Sequence, residues 1–279
     1  MPNSVSLKLG KTYIKIISTA SFVKKLSMWY SFLIADEHCE EDTFTICVDF
    51  SGLPSDGKTE QVISYINDVL TVQVPNKQNY VNVYADYINN TGIILLKSTF
   101  EWEKEWADWE FCFRLIVSIF LFKKKHLIIH CAGLLHHNEL YIITGESGAG
   151  KTTAVKNCVK SNGVKILNDD TMILYKDGDR YYGCAAPYRS TSGICPQSGV
   201  GILKGIYRIH KSTETGKKPM TQAESIQQLW THTFMVGTIM VQDERMLNAV
   251  YNLISSISEN TQKYHLYSTR VSSHLFEIM

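Results

Sequence analysis

The chain lacks a charge excess, a long apolar run, a cysteine framework and a breaker-rich stretch. Its 279 residues carry 28 Lys and Arg against 27 Asp and Glu, a formal net charge of +1. A dedicated nucleic-acid binder usually carries a clear basic excess, so no nucleic-acid partner is expected. No apolar run reaches the roughly 18 residues that a membrane helix needs, so no membrane partner is expected either. The start, MPNSVSLKLGKTY, has no apolar signal-peptide core. The 7 cysteines are odd in number and form no CxxC pair, which reads as scattered reduced thiols rather than a disulfide scaffold. Only 6 prolines and a hydrophobic share of 44% exclude a disordered chain. These exclusions leave a soluble, cytoplasmic, globular protein of one or two domains, large enough to bury a core and act as an enzyme.

No internal repeat is present. Residues 1–100 read as a mixed N-terminal accessory domain. Thr12–Ser18, Thr43–Phe50, Tyr80–Tyr87 and Gly92–Lys97 have strand character, and Ser51–Lys58 is a loop. Glu60–Val69 is ambiguous and fits a short helix. Residues 101–125 place Trp102, Trp106, Trp109, Phe113, Ile116 and Phe120 at helical spacing, which predicts a connecting helix with its tryptophans in the core. Residues 126–279 form the second domain. Leu127–Leu135 reads as one strand, paired through a hairpin at His136–Glu139 with the strand Leu140–Thr144. Further expectations are a helix Lys151–Lys160, a strand Val164–Leu167, a hairpin about Asp177–Gly178 and a strand Ile202–Ile209. Helices are expected at Thr221–Leu229 and Asp243–Ser258, and a last strand at Tyr264–Thr269.

Between the hairpin and its following helix stands Gly145-Glu146-Ser147-Gly148-Ala149-Gly150-Lys151-Thr152-Thr153, a complete G-x-x-x-x-G-K-[ST] phosphate loop. Its glycines let the backbone wrap a phosphate with N–H groups turned inward, and the helix N-terminus adds positive potential there. Lys151 would reach the β- and γ-phosphates, and Thr152 would offer its hydroxyl to Mg²⁺. Asp169 and Asp170 end the next strand, where one carboxylate can hold the metal and the other can accept a hydroxyl proton. Adjacent strand residues point to opposite faces, so both serve one site only if the chain bends after Leu167. Asn168-Asp169-Asp170 is also an ordinary turn-forming triplet. His130 lies in an apolar run, where a lone His is usually a core residue. The expected hairpin would carry its strand alongside the loop.

This set resembles the C-terminal kinase domain of HPr kinase/phosphorylase and, more distantly, phosphoenolpyruvate carboxykinase. The residues that carry the resemblance are His130-Cys-Ala-Gly133, Gly145-Glu-Ser-Gly-Ala-Gly-Lys-Thr152 and Asn168-Asp-Asp170. The glycine-rich signature that follows in true HPr kinases is replaced here by Cys184-Ala-Ala-Pro-Tyr-Arg-Ser-Thr-Ser-Gly193. That shorter pattern looks like the HPr-kinase-like proteins found with ribosomally made peptides, which include kinases of a lasso-peptide precursor serine. The resemblance implies a mixed α/β fold of the HPr-kinase type, with a smaller mixed N-terminal domain. It also implies ATP and Mg²⁺ as cofactors and transfer of a γ-phosphoryl group to a peptide or protein hydroxyl. Asp169 is then expected as base, Asp170 and Thr152 at the metal, and His130 and Lys151 beside the phosphoryl group. HPr kinases are hexameric, so a homo-oligomer is a possible state. A kinase of a free small molecule such as serine, and a nucleotide-binding regulatory module, remain competing readings.

Outside these motifs, Arg189 is a candidate for substrate contact, with Lys204 and Arg208 behind it. His210–Lys218 reads as a polar loop, and His38–Cys39 as part of a solvated acidic loop over Asp36–Asp42.

Overall fold

The computed structural model describes residues 3–35, 42–52, 62–75, 80–161, 163–188, 192–233, 243–269 and 275–279. The chain forms two compact units, one holding the elements before Lys125 and the other those after it up to the C-terminal residues. Both contain mixed sheets and helices, in agreement with the expected mixed α/β class.

The first unit carries β1 (Asn3–Leu9), β2 (Thr12–Ser18), α1 (Ala20–Trp29), β3 (Thr43–Gly52), β4 (Val62–Ile66), β5 (Val69–Pro75), β6 (Tyr80–Asp86), β7 (Thr91–Lys97) and α2 (Trp102–Lys123). Its sheet runs β1-β2-β3-β7-β6-β5-β4. Pairings β2–β3 and β3–β7 are parallel and the others antiparallel. Helix α2 belongs to this unit's core. Trp109 stacks on Phe113 with ring centroids 5.1 Å apart, and Phe120 meets Phe44 of β3 at 5.2 Å. Trp102 and Trp106 pack on Trp29 of α1, so the three tryptophans are packing residues. The expected helix near residues 60–69 is instead the β4–β5 hairpin. Asn67 and Asp68 take φ of 51° and 64°, the left-handed pair that a tight two-residue turn demands.

The second unit carries β8 (His126–His130), β9 (Ala132–His136), β10 (Glu139–Thr144), α3 (Lys151–Cys158), β11 (Lys165–Asn168), β12 (Thr171–Asp177), β13 (Arg180–Ala185), β14 (Val200–Lys211), β15 (Gly216–Pro219), α4 (Gln222–His232), α5 (Glu244–Glu259), β16 (Gln262–Ser268) and α6 (Leu275–Ile278). Its sheet follows the path β11-β9-β10-β14-β13-β12-β8, with β16 joined to β14 and β15 to β16. Strand β10 is antiparallel to β9 but parallel to β14, and β14 is parallel to β16. Helix α3 buries Ala154, Val155 and Cys158 against Leu134, Ile143, Tyr207 and Leu266 of the sheet.

Two expectations need correction here. Residues 127–135 are not one strand. The run breaks at Cys131 into β8, which pairs with β12, and β9, which pairs with β10 and β11. Every residue from Leu127 to Ile129 and from Cys131 to Leu134 is buried, so hydrophobic pattern could not mark the break. Residues 210–218 are not a simple loop either. His210 and Lys211 end β14, and Gly216–Pro219 is β15, paired with β16; the His210 Nε2 lies 3.0 Å from His265 Nδ1.

Candidate functional site

The phosphate loop connects β10 to α3. Gly145, Gly148 and Gly150 take φ of 146°, 76° and 105°, values that side chains strongly disfavour. At Gly145 a Cβ would also come within 2.9 Å of Ile209 Cγ2, so this end of the loop is held against β14. At Gly148 and Gly150 nothing among the described residues lies within 4 Å of the Cβ position, which leaves space above the loop. Gly150 caps α3 without a side-chain hydrogen bond, so no side chain of the cap residue occupies the helix's N-terminal donors. Lys151 is buried, and its Nζ donates to the carbonyl oxygens of Gly145 at 2.7 Å and Glu146 at 3.2 Å. Burial holds the Lys151 ammonium below its ordinary value, with the Asp170 carboxylate pulling the other way. Burial likewise pushes the Cys131 thiol well up, so it is a neutral packing group.

The two carboxylates stand where two strand pairs bend together. His130 of β8 pairs with Thr171 of β12, and Gly133 of β9 pairs with Asn168 of β11. Asp169 and Asp170 lie between β11 and β12, out of the ladder. The bend that both carboxylates require is therefore present, one residue later than expected. Asn168 braces it: its Nδ2 donates to the carbonyls of Ala186 at 3.3 Å and Tyr188 at 2.9 Å, and its Oδ1 accepts from the Asp170 amide at 3.0 Å.

The bend separates the carboxylates. The Thr152 hydroxyl donates to Asp169 Oδ2 at 3.2 Å. His130 Nδ1 lies 3.5 Å from Asp170 Oδ1, and the Thr171 hydroxyl donates to Asp170 Oδ2 at 2.7 Å. Asp169 is only 4% exposed, whereas the Asp170 and His130 side chains are 21% and 43% exposed. Sequence reasoning had put Asp170 with Thr152; the chain direction after Asn168 gives that place to Asp169. A cavity of about 450 Å³ joins His130, Lys151, Thr152, Asp169 and Asp170 to Ser147, Gly148 and Gly150.

His130 thus reaches the site, though not by the expected route. Its own strand pairs with β12, and β9 is the hairpin partner of β10. Glu146 and Ser147 line a second cavity of about 360 Å³ with Arg208 and His210. Ala149 and Thr153 line a third, also about 360 Å³, with Ile209, Lys211 and Thr269. Lys204 is turned to Glu139 at 3.0 Å instead. Arg189 and His38–Cys39 lie outside the described residues. Two residues were missed. Asn168 was read only as part of a turn, although a buried Asn before two carboxylates is a bracing signal. His232 was not singled out at all; its Nε2 lies 2.9 Å from the Gly145 carbonyl oxygen, a contact across 87 positions that leaves no local trace.

A nucleotide's phosphates and Mg²⁺ fit this donor set. A glycine-lined cavity at the N-terminus of α3 suits phosphate, and a hydroxyl beside a carboxylate suits a magnesium ion that takes its other ligands from phosphate and water.

Among the described residues no helix is long and apolar enough to cross a membrane. No family model matches the chain, and no curated protein matches it. Among solved structures, the chain is similar to the Hpr(Ser) kinase/phosphatase from Coxiella burnetii at 12% identity and a TM-score of 0.25, over 33% of this chain and 70% of that one.

Proposed function

We propose that the second unit is an ATP-dependent phosphotransferase acting on a hydroxyl, in the first place a serine of a ribosomally made precursor peptide of the lasso type. The observation that carries this reading is the pairing of Thr152 with Asp169 and of His130 with Asp170 inside the cavity that the phosphate loop lines. Loop amides and Lys151 bind the triphosphate. The third cavity, beside Thr153 and Lys211, receives the nucleoside. Thr152 and Asp169 would hold Mg²⁺, which when bound neutralises charge on the phosphate oxygens. Asp170 is the base. His130 and Thr171 orient its carboxylate, and its exposure lets an incoming hydroxyl reach it. The hydroxyl oxygen bonds to the γ-phosphorus, its proton passes to Asp170, and the bond to the bridging oxygen breaks to release ADP. This reverses the roles first expected for the two aspartates, on the ground of which one Thr152 touches. The partly exposed His130–Asp170 side of the cavity favours an acceptor presented on a chain over one enclosed.

The test is incubation with Mg-ATP and candidate precursor peptides or free hydroxy compounds, read as the gain of one phosphoryl group by mass. Asp170→Asn should lower transfer by about 10²- to 10⁴-fold, as loss of a positioned base does. Lys151→Ala should abolish tight nucleotide binding. A folded Asp170→Asn protein with near wild-type transfer would remove Asp170 as base. Phosphorylation of a free hydroxy compound and of no peptide would sink the peptide assignment.

A further inference from the structure

His232 is the last residue of α4 and belongs to no motif, yet it stands at the root of the phosphate loop. Its Nε2 faces the Gly145 carbonyl oxygen at 2.9 Å, and its Nδ1 faces the Gln228 carbonyl oxygen at 2.8 Å, one turn back in its own helix. A hydrogen on Nε2 makes the ring a donor to the Gly145 carbonyl. The chain beside the ring is anchored. Thr233, next in sequence, bonds its hydroxyl to the Leu229 carbonyl at 2.7 Å and bridges to Ile129 of β8. The His232 ring lies parallel to the His130 ring, with centroids 6.5 Å apart and planes 3° apart.

The Gly145 carbonyl has a second donor, the Lys151 ammonium at 2.7 Å. Lys151 also serves the Glu146 carbonyl at 3.2 Å. An ammonium has three hydrogens and two serve these carbonyls, so reaching both a β- and a γ-phosphate oxygen means leaving one carbonyl. A desolvated carbonyl left without a donor opposes that move. Gly145 cannot swing away to find another, because its backbone is fixed at φ of 146° against Ile209.

We propose that His232 is a positioning residue for nucleotide binding: it keeps the Gly145 carbonyl bonded when Lys151 turns to the phosphates. This rests on the nucleotide-binding reading above. His232 touches neither the phosphates nor the acceptor; it acts through Gly145 and Lys151.

The experiment measures Mg-ATP binding to the full chain by titration calorimetry, with ligand-free melting in parallel, for wild type, His232→Leu and His232→Gln. Leucine occupies the space without a donor, while glutamine keeps an amide N–H within reach. His232→Leu should weaken Mg-ATP binding by about tenfold, and His232→Gln by no more than about threefold, the range expected for one hydrogen bond lost or kept. Ligand-free melting of both should stay close to wild type, and in turnover KM should rise more than kcat falls. If the leucine variant melts early, His232→Asn, whose amide is one methylene short, takes its place in the comparison. Wild-type affinity in the donor-less variant, or equal weakening in both, overturns the role of His232 alone. A wild-type chain that binds no Mg-ATP overturns the nucleotide reading and this inference with it.

Discussion

Asn168 is fully buried, and all its side-chain polar atoms are bonded to backbone. It therefore fixes where Asp169 and Asp170 leave the ladder. Asn168→Leu should destabilise the protein by about 1–3 kcal/mol, because it orphans buried backbone groups, and denaturant unfolding will measure it. Lys151 gives a prediction in pH. Burial lowers its value from the ordinary 10.5. Between the two values the unfolded chain holds more protons than the folded one, so stability rises with pH across that window. Unfolding followed from neutral pH toward the ordinary lysine value should show a steeper rise in wild type than in Lys151→Met; equal slopes would contradict the buried ammonium. At this scale the phosphate loop was legible because its spacing encodes a backbone shape. The Asp pair was legible as a pair, but not which member meets Thr152, since that depends on a bend of one residue. The Asn168 side chain bonds the carbonyls of Ala186 and Tyr188, and the His232 ring meets that of Gly145, partners that the sequence alone does not give.

Among the elements, helix α4 has a complete capping box: Thr221 Oγ1 accepts from the Glu224 amide at 3.3 Å, and Glu224 Oε2 accepts from the Thr221 amide at 2.8 Å. Thr221→Ala should cost about 1 kcal/mol, read by thermal melting, because one helix N–H loses its acceptor. Strand β13 tests packing between its neighbours. A Cβ on Gly183 would run into Leu140 Cδ2, stand 2.7 Å from Leu174 Cδ2 and 3.1 Å from the Ile173 carbonyl. Gly183→Ala should therefore destabilise by about 1–3 kcal/mol, and an unchanged melting curve would show that β10 and β12 yield freely. Most elements were readable where a period or a turn residue marks them. The helix Trp102–Lys123 and the hairpin about Gly178, with its φ of 56°, are of this kind. The split at Cys131 was not readable, since both halves are buried and the change of partner strand is a matter of tertiary pairing. The β4–β5 hairpin carried its signal in Asn67-Asp68, between the apolar runs Val62–Ile66 and Val69–Val72.

For the molecule as a whole, each unit has its own sheet and its own buried residues. Ligand bound only by the second unit should stabilise that unit's native state by mass action. Mg-ATP should slow amide exchange in β10, β11 and β14 and leave β3 and β7 unchanged; equal slowing in both sheets would contradict a site confined to the second unit. The two-part organisation could be read from composition and motif position, whereas the strand order could not, because β10 pairs with a strand far along the chain. That pairing affects how the protein is made. Strand β10 rests on β14, and β14 in turn on β16, through residues 202–208 and 262–268. Long-range pairings of this kind are slow to form. On the ribosome, the phosphate loop emerges well before the strand that supports it. A nascent chain halted short of β14 would display every residue of the loop motif and still lack the strand against which Gly145 is held.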